Sequence, residues 1–108
     1  MKNERIKAVL KRPGELPHIV HIGNNLKVLQ DLVGGYIETV TLASDLVIIC
    51  NEEGRLLGLE PNCTVCGVSF VGNIIIAAYD DEGNFTDVKL SRDELMLLFP
   101  NLYGGVKK

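Results

Sequence analysis

The chain predicts an α+β fold: a single small domain, residues 1–108, mainly antiparallel β-sheet with two α-helices. Short runs rich in β-branched and apolar residues recur at 6–10, 18–22, 36–42, 46–50 and 74–78, each of strand length. Turn chemistry separates them, as at Pro13-Gly14, Asn51-Glu-Glu-Gly54 and Asp80-Asp-Glu-Gly83-Asn84. Two segments only join a helix start signal to an apolar face, one after Asn24-Asn25 and one after Ser91. A length of 108 residues leaves room for one core, and nothing in the chain resembles a linker.

Taken in order, 6–10 reads as a strand with basic flanks running into Arg12, and 18–22 as its hairpin partner after Pro17. Asn24 or Asn25 caps a helix whose Leu26, Leu29, Leu32 and Val33 share one face, and Gly34-Gly35 stops it. Strands follow at 36–42 and 46–50, joined by a turn at 43–45. After the turn 51–54, residues 58–62 with Pro61 read as an irregular loop. A strand region spans 65–79, broken at Gly72-Asn73, and its inner stretch 74–78 is apolar on both faces and central in the sheet. Residues 80–84 form a second hairpin turn. Ser91-Arg-Asp-Glu94 is a capping box opening a last helix, 95–99, which Pro100 ends, and the tail from Tyr103 frays.

The apolar share is 46% with a mean hydropathy of +0.17, high for a small monomer, so a homodimer is an expectation. No apolar run approaches the roughly 20 residues that cross a bilayer, and the start lacks a signal peptide's apolar stretch. Three cysteines, an odd number, argue for a reducing cytoplasm over a disulfide framework. Residues 1–12 carry a net charge of +4, while 13–106 hold 13 acids against four bases, a net −9. Such a body repels a phosphate backbone, so direct nucleic-acid binding is not expected outside the basic first strand, and a basic protein partner suits it.

The candidate chemistry is thin. Cys63-Thr-Val-Cys66 with Cys50 and His18-Ile-Val-His21 could supply zinc ligands, but a second C-x-x-C is missing and histidines three apart on a strand face opposite ways. No metal site, cofactor or catalytic residue is therefore expected. A thioredoxin-like role needs the first cysteine at a helix N-terminus, and Cys63 lies between a loop and a strand. Asp80, Asp81 and Glu82 do not fit a calcium loop, Glu52 and Glu53 sit in a tight turn with nothing apolar to raise a pKa, and no phosphate-binding glycine loop is present. The expectation is a non-enzymatic binding protein whose contacts come from Glu52, Glu53, Arg55, Asp80, Asp81 and Glu82, and from the exposed loop around Arg55 to Asn62. The alternatives are a small-ligand binder that sequesters a nucleotide signal, stacking on Tyr36, Phe70, Tyr79, Phe85 or Tyr103, and a zinc-stabilised structural module.

Ile6-Lys-Ala-Val-Leu10, Leu29-Gln-Asp-Leu-Val-Gly-Gly-Tyr-Ile-Glu38, Cys50-Asn-Glu-Glu-Gly-Arg-Leu-Leu-Gly-Leu-Glu-Pro-Asn62 and Val71-Gly-Asn-Ile-Ile-Ile76 resemble the small proteins of the domain of unknown function 3846 family. The most specific parts are Leu-Val-Gly-Gly-Tyr-Ile-Glu and Asn-Glu-Glu-Gly followed by Gly-Leu-x-Pro-Asn; where the pattern often continues with arginine, this chain has Cys63. The resemblance implies no enzyme activity and no catalytic residues to carry over. It implies a setting in phages, plasmids and other mobile elements of bacteria, among accessory proteins that include inhibitors of host defence. The expected function is then stoichiometric inhibition of the anti-CRISPR kind, with a basic defence nuclease as the partner.

Overall fold

The computed structural model describes residues 4–43 and 45–102. Its strands are β1 (Arg5–Lys11), β2 (His18–Gly23), β3 (Ile37–Thr41), β4 (Leu46–Asn51), β5 (Pro61–Val65), β6 (Val68–Val71), β7 (Ile74–Tyr79) and β8 (Phe85–Thr86). Its helices are α1 (Leu26–Val33) and α2 (Arg92–Leu98), followed by a 3-10 turn at Pro100–Leu102. The main sheet runs β2-β1-β7-β4-β3 with every pairing antiparallel, and β8 pairs with β7. A second sheet is the hairpin β5-β6.

Alternation along the strands divides the core into two layers. Ile6, Ala8, Leu10, Val47, Ile49, Ile75 and Ala77 face α1, which lays Leu29 and Val33 against them. Val9, Leu46, Ile48, Cys50, Ile74, Ile76 and Ala78 face the other way, under Val65 and Phe70 of the hairpin, Val88, Leu95 of α2 and Leu102. A strand covered on both faces needs no polar side, which is why β4 and β7 are unbroken apolar runs.

The helix ends follow local rules. Asn25 Oδ1 accepts from Val28 N–H at 3.0 Å, and Gly34 closes α1 at φ 83°, a conformation that favours glycine. Ser91 and Glu94 form the reciprocal capping box, so α2 starts at Arg92, three residues before the expected 95–99, and Phe99 is its C-cap rather than its last helical residue.

Two expectations need correction. Residues 58–62 are not all irregular loop, because Pro61 opens β5; proline is tolerated at the first position of a strand, where a missing N–H costs least. The expected strand region 65–79 folds back at Cys66-Gly67, with φ 50° and 80°, the paired positive values of a two-residue hairpin turn. Asn-Gly is the usual signal for that turn, and Cys-Gly hides it. Ser44 of the expected 43–45 turn and the expected frayed tail from Tyr103 lie outside the described residues.

Candidate binding surface

One end of the sheet carries the loop 52–58, and its foundation is a single buried amide. Asn51, the last residue of β4, donates from Nδ2 to the Val33 carbonyl at 3.1 Å and accepts at Oδ1 from Glu53 N–H at 2.8 Å. Asn73 adds a bond from Nδ2 to the Leu32 carbonyl at 3.0 Å, so two asparagines satisfy carbonyls that the end of α1 leaves open. From there the loop is held by its backbone: Glu52 N–H donates to Tyr36 O at 2.8 Å, Leu57 N–H to Glu53 O at 2.9 Å and Leu59 N–H to Gly54 O at 3.0 Å. Arg55 reaches sideways, donating from Nη2 to Ser69 O of β6 at 2.8 Å. A Cβ on Gly54 would sit 2.8 Å from Val71 Cγ2, so glycine there lets the loop lie close on the hairpin.

What this well-tied loop presents is apolar. Leu56 is 86% exposed and Leu57 59% exposed, beside the carboxylates of Glu52 and Glu53, the Arg55 guanidinium and Tyr36, itself 66% exposed. Beneath it lies a recess of about 150 Å³ bordered by Glu38, Cys50, Arg55 and Phe70, among others. The Cys50 thiol faces Glu38 Oε1 at 4.0 Å. Burial first, and the Glu38 charge second, push its pKa up to about 11. Burial also raises Cys63, against a smaller opposing pull from Lys11. Both groups are thiols near neutral pH and lack the thiolate that nucleophilic chemistry needs.

Other candidate residues are dispersed. Cys63 lies within β5 and Cys66 at the hairpin tip, and His18 and His21 occupy alternating positions of the edge strand β2. Among the described residues no three His, Cys, Asp or Glu side chains gather as a metal site. Phe70 is core, while Tyr79 and Phe85 stack on each other with centroids 5.3 Å apart; Tyr103 lies outside the described residues. The basic first strand is not one basic face. Lys11 is 1% exposed, its Nζ donating to Arg12 O at 3.2 Å, and Arg5 donates to the His21 carbonyl.

The two acidic turns do not form one surface. β4 and β7 are antiparallel, with Leu46 opposite Ala78 and Ile49 opposite Ile75. Glu52 and Glu53 leave one end of that pair, and Asp80, Asp81 and Glu82 leave the other, separated by roughly the 17–20 Å length of a strand. The second turn is self-contained: Asp80 Oδ1 accepts from the N–H groups of Glu82 and Asn84, each at 2.9 Å. The Asn84 backbone bond leads in holding the Asp80 carboxyl below its ordinary range.

Sequence reasoning named Glu52, Glu53 and the exposed loop from Arg55 to Asn62, and it gave Leu56 and Leu57 within that loop no role of their own. No helix among the described residues is long and apolar enough to cross a membrane. The segments 29–38 and 50–62, which carry the family resemblance, meet at this loop through the Asn51–Val33 and Glu52–Tyr36 bonds. No curated protein and no solved structure matches the chain. The pattern that defines the domain of unknown function 3846 family matches residues 6–99, nearly the whole length, and the chain belongs to that family.

Proposed function

We propose that the protein acts without chemistry of its own, as a stoichiometric binding protein that docks its 52–58 loop end onto a basic protein partner. The carrying observation is the pairing of a hydrogen-bonded loop with two leucines held out in solvent. An ordered backbone has little conformational entropy left to lose on binding, so exposed anchors on it are well placed to hold a partner. Leu56 and Leu57 supply the anchor, and Glu52, Glu53 and the wider acidic body supply attraction to a basic rim. A nuclease of bacterial defence presents such a rim, because it must hold a polyanion. The mobile-element setting implied by the family resemblance makes that class the partner, and the protein an inhibitor acting inside the bacterial host cell in the anti-CRISPR manner.

The test is a titration of DNA cleavage by a panel of purified CRISPR nucleases. The expected result is loss of cleavage complete at a fixed small molar ratio, with Leu56→Glu/Leu57→Glu needing at least 10-fold more protein, the scale of losing one or two anchors of about 1–2 kcal/mol each. The double variant is expected to keep its thermal stability, because neither side chain is buried. Full cleavage in the presence of excess protein across the panel would refute the defence-inhibitor reading, and equal potency of the variant would refute the loop.

A further inference from the structure

At the opposite edge of the sheet, α2 is apolar on the wrong side for a helix that only covers a core. Of its residues Leu95 alone is buried, while Met96, Leu97 and Leu98 are exposed, Leu97 by 83%. Leu16 and Ile19 are exposed beside it, and Ile19 stands opposite Val9 on the face of the sheet that α2 covers. Val9, Leu16, Ile19, Arg92 and Leu95 border a recess of about 330 Å³ between helix and strand. Summed, these side chains leave on the order of 500 Å² of surface open, with Met96 on the Arg92 side of the helix beside the strand, Leu97 outermost and Leu98 on the far flank.

The strand next to this patch is an edge on which, among the described residues, only the His21 carbonyl is covered, by Arg5. Asn24 N–H donates to Glu4 O, and the β1–β2 register carries that alternation onward, so the backbone groups of Ile19 and His21 point away from β1. His18–Gly23 contains no Lys, Asp, Glu or Pro, the residues that usually protect an edge, and Arg5, an exposed side chain, is what meets the outward His21 carbonyl. The other edge, β3, carries Glu38, which a second copy would set near its own like charge.

We propose that the patch of α2 and the β2 edge is a homodimer interface, in which two copies meet across a two-fold axis. The charge pattern favours a second copy over a foreign partner. Residues 13–106 carry a net −9, so two copies repel each other except at a face that is neutral or self-complementary. β2 is free of acidic and basic side chains apart from its histidines. On the rim, Arg92 has no ion-pair partner among the described residues, while Glu15 and Asp93 are exposed nearby. A two-fold axis passing beside Arg92 would set each copy's guanidinium near the other's Asp93 and Glu15, the latter 3.8 Å from His18 Nε2 within its own chain. The apolar patch, extended by the strand edge and this rim, approaches the ~800 Å² per partner of a stable interface. This interface is independent of the 52–58 loop, which projects beyond β4 near the β3 edge.

Sedimentation velocity on the full chain at about 10 µM, a concentration at which a micromolar dimer is mostly assembled, tests it. The wild type is expected at twice the 11.9 kDa chain mass, and Leu97→Glu and Ile19→Lys each at the chain mass with an unchanged far-UV circular dichroism spectrum. Leu56→Glu, on the loop, is expected to remain a dimer. A wild type that sediments as a monomer overturns the proposal, whether the patch then serves a foreign protein or nothing. So does a dimer that survives both interface substitutions, or one that only Leu56→Glu dissociates.

Discussion

Asn51 does more for the candidate surface than any exposed residue, because one buried side chain both closes α1 and shapes the loop. Asn51→Ala removes both bonds and leaves the Val33 carbonyl and the Glu53 N–H without them. The expected cost is about 2–3 kcal/mol in urea unfolding, with faster amide exchange across 52–58. Cys50 gives a pH signature. Its pKa is raised on folding to about 11, so the folded state favours the protonated thiol. That contribution is whole below the ordinary thiol value of about 9 and is lost as pH rises towards 11. Stability should therefore fall over this alkaline window, and Cys50→Ala should flatten that part of the curve. Residue-scale features were legible where the partner is close in sequence. Asn25 reaches Val28 and Ser91 reaches Glu94; spacing fixes the second cap and narrows the first to Asn24 or Asn25, of which the structure uses Asn25. Asn51 finds its helix 18 residues back, and no local pattern announces that. Lys11 reads as a charged flank of the first strand and is in fact buried under the second layer.

At the scale of elements, β4 and β7 were legible because they are buried on both faces and cannot be mistaken for amphipathic segments, whereas the two-residue β8 was too short to be read. The β5-β6 hairpin was not, since its turn carries cysteine at a positive φ where asparagine usually sits. The same topology separates the two acidic turns that composition had grouped. If the loop end is the contact, charge reversal should matter at one end only. Glu52→Lys/Glu53→Lys is expected to weaken binding about 10-fold or more at low salt, with the loss shrinking as salt rises. Asp80→Lys/Glu82→Lys, at the far end of β4 and β7, is expected to change affinity less than 3-fold. Binding curves for the two double variants at two salt concentrations check both statements, and a larger effect from the far turn would move the contact to that end.

For the whole molecule, one end of a rigid antiparallel sheet offers a fixed, acidic and partly apolar loop, and the opposite edge offers a neutral strand beside an apolar helix. The fold class followed from sequence because periodicity and turn chemistry are local signals. The candidate surface was legible only in part. Charge identifies Glu52, Glu53 and Arg55 directly and turn chemistry marks the exposed loop after them, whereas the fixed presentation of Leu56 and Leu57 depends on a loop conformation set by distant partners. The central claim is that the protein works by occupancy through this loop. Native mass spectrometry of the chain mixed with a purified CRISPR nuclease that it inhibits tests this most directly. The account predicts a complex of whole-number stoichiometry whose mass is protein alone, absent when Leu56→Glu/Leu57→Glu replaces the wild type. A chain that carries a nucleotide or a zinc ion and leaves the nuclease unbound would contradict it.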